Sequence, residues 1–468
     1  MVYRKGRLEM LNPESRKVYL EEIRPPAGYE LDKAVATTYS LDLLSLLMAP
    51  LSLALFEADN REDILKNPVA VTEALRRISD KLTVFCQQGR IRIPEKDTRL
   101  YNFLEPIVYD VQPENGVFHP KIWLMRFTSK TEPVIYKFLC SSRNLTFDNS
   151  WDTVLTLEGE LEADRTYAFA QNHSLGDFIQ SLPELTVNSV DSKLKDQINT
   201  LAEEVRKVRF QSPPNFKEEI DFLPLGIKGY RSPLEFSDFS RMMAVSPFLT
   251  KSTLNVLIEE GNNNILVTRG ESLDNFNKEF ITELKSNSEV YIFSDSAEQL
   301  DVETEAEDSN SVDIDSLSGL HAKLYILEKG WDAFIYTGSA NATRSGLTGR
   351  NVEFMVGLKG KKSKVGIDSL LDKDGDSKDN ISLFSLLDLY QTVETEEEIE
   401  SEVEKLESRL ETARAKLTKV GFKVLVEELD EGFKLRIKPN KSVDFSGFDL
   451  TGSCYPITLE KLKQDISS

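Results

Sequence analysis

The sequence predicts an α/β protein: two pseudo-repeated domains of mixed sheet covered by helices, followed by a C-terminal helical and β extension. A duplicated polar motif, matching strand patterns around each copy and a change of character past residue 365 carry that prediction. The chain has three histidines, and two of them open the same motif. His119-Pro120-Lys121 is followed by Ser142-Arg143-Asn144, and His321-Ala322-Lys323 by Ser339-Ala340-Asn341. The histidines lie 202 residues apart, with His-to-Asn spacings of 25 and 20. Self-similarity on this scale means one supersecondary unit used twice.

Each motif leads into an apolar run (Ile122 to Phe127; Leu324 to Leu327), then a second run (Val134 to Cys140; Ala333 to Thr337), then the Ser-x-Asn turn. That reads as strand, turn, strand and polar loop. Upstream, residues 33–39 resemble 241–247, 82–85 resemble 265–268, and 106–109 resemble 289–293, with helical patterns between them. Alternation of this kind lays helices over a sheet. The predicted divisions are an N-terminal extension (1–29), a first α/β domain (30–165), a helical and Pro-rich connector (166–234), a second α/β domain (235–365) and a C-terminal unit (366–468). In the last of these, Asp372 to Asn380 reads as a charged surface loop. Beyond it Ile399, Val403, Leu406, Leu410, Ala413 and Leu417 form a heptad seam, and residues 422–428 and 432–438 a hairpin. The most apolar stretch, Leu43 to Phe56, is broken by Ser45, Pro50 and Ser52 and falls short of the roughly 20 residues that span a bilayer, so it predicts a buried helix.

Composition narrows the function classes. At 40% hydrophobic and 29% charged residues the chain is neither wholly disordered nor collagen-like. Lys plus Arg (57) against Asp plus Glu (78) gives −21, which repels nucleic acid and anionic membrane unless basic groups gather in one cleft. Cys86, Cys140 and Cys454 are widely separated and odd in number, so neither a disulfide framework nor a zinc knuckle is readable. With no signal-like apolar core at the N-terminus, the expected location is cytoplasmic. Gly360-Lys361-Lys362-Ser363 lacks the upstream glycine of a P-loop, and no nucleotide hydrolysis is expected.

A histidine that attacks phosphorus needs a fixed tautomer, a cation for the phosphoryl oxygens and a second proton carrier for the leaving group. Two His-x-Lys pairs supply both histidines and both cations (His119, Lys121, His321, Lys323), and Asn144 and Asn341 add amide donors. Alternate residues of a strand share a face, so each imidazole sits with its ammonium. The hydroxyls of Ser142 and Ser339 are candidates for a further phosphate oxygen. A carboxylate behind each imidazole would set its tautomer, and Asp152 and Glu353, each heading an apolar strand, are the candidates. Positive charge comes from the protein, so neither metal nor cofactor is expected.

These residues resemble the phospholipase D superfamily, whose members carry two His-x-Lys…Asn motifs in one chain or across a dimer; the likeness spans about residues 30–365. Within it, Ser141-Ser-Arg-Asn-Leu-Thr-Phe-Asp-Asn-Ser-Trp151 is similar to the Ser-x-Asn…Trp segment of tyrosyl-DNA phosphodiesterases and nuclease-type members. The resemblance implies two phospholipase D-like α-β-α sandwich domains around one active site, a covalent phosphohistidine intermediate and activity in chelator. By analogy His119 is the nucleophile and His321 the general acid, though the roles could be reversed. Lipid-acting members usually carry an aspartate five residues after the lysine; here Arg126 and Glu328 stand there, and Arg126 becomes a candidate phosphate contact.

Further candidates for substrate contact are Arg143, Arg344 and Trp151, the last to stack a base or a tyrosine leaving group, although a packing role suits Trp151 as well. His173 has no lysine or carboxylate in register and reads as a surface residue. The acidic segment Asp301 to Asp315 reads as a solvated loop, with a phosphate-mimicking cover as the sharper alternative. The expected function is a metal-independent phosphodiesterase acting on nucleic acid, most simply a DNA nuclease or end-processing enzyme. Because of the negative charge it needs a basic cleft or a loading partner such as a helicase or ATPase; nuclease members often serve restriction or phage defence beside such motors. A homodimer through the 399–417 helix is the other partner expectation, and no membrane contact is foreseen. The competing readings are a lipid phosphodiesterase or phosphatidyltransferase and a non-catalytic phosphate-binding subunit.

Overall fold

Runs of Val, Ile, Leu and Phe bounded by polar turns form two mixed sheets of the same design. The structure is a computed structural model that describes residues 19–57, 68–92, 94, 98–147, 150–274, 276–293, 319–371, 383–391, 402–442, 452–456 and 462–466. The first sheet contains β1 (Glu30–Thr38), β2 (Leu82–Gln87), β3 (Val108–Val111), β4 (Ile122–Thr128), β5 (Ile135–Ser141), β6 (Val154–Leu161) and β7 (Val208–Phe210), in the spatial order β7-β6-β5-β4-β1-β2-β3. The second contains β8 (Phe216–Leu225), β9 (Arg241–Val245), β10 (Asn264–Thr268), β11 (Ser288–Phe293), β12 (Leu324–Lys329), β13 (Asp332–Gly338), β14 (Glu353–Lys361) and β15 (Leu387–Leu389), in the order β8-β14-β13-β12-β9-β10-β11-β15.

Pairing follows one rule in both. β1, β2 and β3 run parallel, as do β9, β10 and β11. The motif hairpins β4–β5 and β12–β13 then add antiparallel to β1 and β9. Parallel strands need crossovers. Helices α1 (Leu43–Glu57) and α2 (Pro68–Ser79) make the first, and α5 (Lys251–Glu259) and α6 (Lys278–Asn287) serve the second half. The apolar stretch from Leu43 is α1, whose Leu46, Leu53 and Ala54 are fully buried against β1, β2 and β4. Among the described residues no helix is long and apolar enough to cross a membrane.

Residues 166–234 do more than connect. Helices α3 (His173–Ser181) and α4 (Ser192–Val205) bury Phe178, Ile198 and Leu201 in a core that both sheets share. Phe178 lies 4.8 Å from Phe354 of β14, and Phe138 of β5 lies 5.7 Å from the same ring. The Pro-rich stretch read as connector from the sequence is largely strand: β8 pairs with β14 as the second sheet's edge. Pro224 is tolerated there because an edge strand leaves one row of N–H groups without a ladder partner.

The C-terminal unit consists of α7 (Glu402–Thr418) and the hairpin β16 (Phe422–Glu428)–β17 (Phe433–Pro439). Its heptad seam is mixed: Ala413 is buried, while Leu410 and Leu417 are exposed, and Ile399 lies outside the described residues. Gln88 Nε2 donates to Thr418 O at 3.3 Å, which ties the end of α7 to the turn after β2. The charged segments 301–315 and 372–380 also lie outside the described residues.

Candidate active site

Two cross-strand clips join the halves at the motifs. His119 N donates to Val352 O and His321 N to Trp151 O, each at 2.8 Å. Phe118 pairs with Val352, and Gly319–Leu320 with Ser150–Trp151, in parallel register. Each clip therefore sets a histidine beside the acid that follows the opposite strand. The acids serve across the halves: His119 Nδ1 is 2.9 Å from Glu353 Oε2, and His321 Nδ1 is 3.1 Å from Asp152 Oδ1. A carboxylate can only accept, so Nδ1 carries the hydrogen and each Nε2 keeps its lone pair. The acids are 1% and 8% exposed while the histidines keep 13% and 19%, so the imidazole is the more exposed member of each pair.

The two lysines are folded back onto the same chain. Lys121 Nζ donates to His119 O at 2.8 Å and Lys323 Nζ to His321 O at 2.6 Å, which holds each ammonium against its own histidine. Both are almost wholly buried. Burial lowers Lys121 to about 7 against the pull of Glu353 and Asp152, and burial with the charge of Lys121 carries Lys323 well below its ordinary value. Burial likewise lowers His119 to about 4, helped by Lys121 and Lys323, with Glu353 opposing. His321 is lowered by burial and the same two ammonium groups. Burial by itself would raise the Asp152 carboxyl, but the hydrogen bond and charge of His321, then Lys323 and Ser142, hold it below the usual carboxylate range. Both lysines act on both histidines, so the four groups form one electrostatic site.

Ser142 and Ser339 are not phosphate contacts. Both are fully buried, and their hydroxyls are committed to the acids. Ser142 Oγ donates to Asp152 Oδ1 at 2.8 Å and accepts from Thr153 N; Ser339 Oγ donates to Glu353 Oε2 at 2.5 Å and accepts from Phe354 N. The second oxygen of each acid is held by a residue two positions upstream: Ser150 Oγ on Asp152 Oδ2 at 3.0 Å and Asn351 Nδ2 on Glu353 Oε1 at 3.3 Å. Sequence reasoning missed Ser150 and Asn351; a polar residue at the same offset before each acid was the available signal. Asn144 and Asn341 stand differently, since their buried amide oxygens have no hydrogen-bond partner among the described residues. A buried orphan acceptor of this kind costs about 1–3 kcal/mol, and it is the Nδ2 side of each amide that can donate to a phosphate oxygen.

Four other sequence candidates are placed elsewhere. Arg126 lies at the far end of β4, its Nε 2.8 Å from Glu204 and its Nη1 2.8 Å from Asp32, so it bolts α4 to the sheet. Five residues of strand, about 16 Å, separate it from Lys121. Its counterpart Glu328 is fully buried and pairs with Lys362 at 2.6 Å. Trp151 packs its ring on Phe293 at 5.4 Å, and it is the Trp151 carbonyl that meets the site. Arg143 turns back on its own loop, with Nη2 donating to Thr146 O at 3.2 Å, and Arg344 is exposed at the start of a short helix, Arg344–Leu347. His173 is exposed at the start of α3. Tyr39, at the end of β1, is an unforeseen neighbour: its ring meets the His119 ring edge-on at 5.1 Å.

No family model matches the chain, and no curated protein does. Among solved structures, two variants of yeast tyrosyl-DNA phosphodiesterase align over 74% of this chain and 85% and 86% of theirs, at 12% identity and TM-scores of 0.39 and 0.41. The polyphosphate kinase of Porphyromonas gingivalis aligns over 72% of this chain and 41% of its own, at 13% identity and a TM-score of 0.33. Likeness of that degree carries no chemistry across, and the site's own residues must supply it.

Proposed function

We propose that the chain is a metal-independent phosphodiesterase of the phospholipase D type acting on nucleic acid, most simply DNA. The observation that carries this reading is the pair of buried carboxylates, each fixing the Nδ1–H tautomer of the opposite half's histidine and so leaving two Nε2 lone pairs, with both buried lysines acting on both histidines. In the first step His119 Nε2 attacks phosphorus, a P–N bond forms and the P–O bond to the leaving group breaks. His321, protonated when the anionic diester binds, gives its Nε2 proton to that oxygen, and Asp152 steadies the imidazolium. In the second step His321 takes a proton from water, whose oxygen displaces His119 and breaks the P–N bond. Lys121, Lys323, Asn144 and Asn341 hold the equatorial oxygens as charge builds on them. A chain of charge −21 gains little from free DNA, so delivery by a motor partner, as in restriction or phage defence, fits this enzyme.

The test is cleavage of end-labelled single- and double-stranded DNA in excess chelator by wild type, His119→Ala and His321→Ala. Chelator-resistant cleavage lost in both variants supports the reading. A protein that turns over a nitrophenyl diester but leaves DNA intact would move the substrate class to lipid, and one inert on both would be a phosphate-binding subunit.

A further inference from the structure

The loop after the second strand of each half carries an arginine laid over an aromatic ring. In the first half the Arg90 guanidinium sits 4.6 Å from the ring centroid of Tyr39, the residue that meets His119. In the second, the Arg269 guanidinium sits 5.4 Å from Phe248, and its Nε donates to Leu320 O at 2.7 Å, one residue before His321. Arg269 also helps depress Lys323, so its charge is felt inside the site. Each histidine thus has an arginine-on-aromatic pair next to it, on its own side.

The two pairs are not copies of one another. Thr38 Oγ1 donates to Ser40 O and accepts from Leu145 N, while Ser246 Oγ donates to Phe248 O and accepts from Ala342 N. Thr38 therefore corresponds to Ser246, which makes Tyr39 equivalent to Pro247 and Phe248 equivalent to Ser40. The register of β1 on β2 and of β9 on β10 puts Gln87, not Arg90, opposite the place of Arg269. Both halves reach the same contact with residues that the duplication does not relate. The packing demands of a shared fold do not account for that, whereas a ligand that presents alternating phosphate and ring on either side of the reacting centre does.

We propose that Arg90 with Tyr39 and Arg269 with Phe248 are two strand clamps that hold the nucleotides flanking the scissile phosphate, one on each side. An arginine stacked on a ring is pre-ordered, and a planar guanidinium carries five N–H donors, so it can meet a phosphate through donors other than the Nε that Arg269 gives to Leu320 O. Phe248 is 48% exposed, a ring face open to base stacking. The substrate class is a single strand, or a strand end, laid across both halves, and the clamps rest on the nucleic-acid reading above.

The experiment compares kcat/KM on a single-stranded oligonucleotide and on a nitrophenyl phosphodiester, in excess chelator, for wild type, Arg90→Gln, Arg269→Gln and Phe248→Ala. The clamps require each variant to lose about 10- to 100-fold more on the oligonucleotide than on the small diester. They also require each arginine loss to make the slope of log kcat/KM against log salt shallower by about one. Arg90→Lys and Arg269→Lys, which keep charge without the planar stack, should keep the salt slope and lose part of the oligonucleotide preference, even if a Gln variant folds poorly. Equal losses on both substrates would show that these residues only support the histidines and would overturn the clamps, as would no loss at all. A wild type that turns over the small diester and never the oligonucleotide fails one level up: the nucleic-acid reading falls, and the clamps with it.

Discussion

The two halves share topology, hairpins, lysine hooks and serine braces, yet they treat their acids differently. In the first half the carboxylate is Asp152, held by the hydroxyls of Ser142 and Ser150; in the second it is Glu353, held by Ser339 and the amide of Asn351. Each acid works on the other half's histidine, so the shorter acid stands behind His321 and the longer one behind His119. A duplicated fold has thereby produced two imidazoles in unlike settings, which is what a reaction needing one nucleophile and one acid requires. Neither half holds both members of either His–acid pair, so each pair forms only where the two halves close on one another.

The largest expected effect breaks the pair of histidines. His119→Ala and His321→Ala should each lower chelator-resistant turnover by about 10³-fold or more, and the double variant should be little worse, because the two act as a unit. The intact mass of the protein after mixing with DNA separates the roles: a persistent adduct in His321→Ala and none in His119→Ala assigns the nucleophile to the first half. The reverse pattern would exchange the roles. One step down, the crossing itself can be broken. Glu353→Gln should slow formation of the adduct, and Asp152→Asn should slow the proton transfers of His321, each by about 10²-fold. An acid whose loss impairs the histidine of its own half would refute the crossing.

Much of this is legible in the order of residues. The duplication and the hairpins are legible because a scarce residue recurs with the same two-residue offset inside each His-x-Lys and Ser-x-Asn motif, while the His-to-Asn distance drifts from 25 to 20 with the length of the hairpin turn. Asp152 and Glu353 stand out as acids heading strands, but which histidine each serves is not readable, since that depends on how two sheets dock and no local pattern records it. Ser142 and Ser339 mislead for a related reason: a hydroxyl beside an asparagine reads as a ligand, and only burial shows it turned away to the carboxylate. Arg126 misleads because sequence distance hides the 16 Å or so of strand that carries it off the site. The Pro-rich stretch before Pro224 looks like connector because an edge strand obeys looser rules than an inner one.

Lys121 gives a smaller effect that sharpens the comparison of charge between the halves. Its folded value near 7 lies below its unfolded one, so the ammonium is present below about 7 and lost as pH rises through it. Turnover of a small diester should therefore decline as pH rises through about 7, and kcat/KM for Lys121→Met should be low and flat across that range. Folded stability should move the other way. Between about 7 and 10.4 the unfolded chain holds a proton at Lys121 that the folded chain has released, so stability rises with pH across that window. Urea unfolding at several pH values measures it, and in Lys121→Met the rise should shrink by the Lys121 share, leaving the part that the depressed Lys323 contributes. A turnover profile flat through pH 7 in the wild type would mean that Lys121 stays charged and that Glu353 and Asp152 outweigh its burial.

The smallest effect on catalysis is expected at Arg126, and it separates what the first half spends on architecture from what it spends on chemistry. Arg126 ties Glu204 of α4 and Asp32 of β1, while Tyr136 OH donates to the same Glu204 at 2.7 Å. Removing the arginine leaves a partly buried carboxylate with only the tyrosine, and Arg126→Met should lower stability by about 1–3 kcal/mol. Because that cluster makes no described contact with His119, His321, Lys121, Lys323, Asp152 or Glu353, kcat/KM on both substrates should stay within about twofold of wild type at a temperature where the variant is folded. A tenfold loss confined to the oligonucleotide would return Arg126 to the substrate path and extend the binding surface along β4, well beyond the strand ends where the structure gathers the rest of the site.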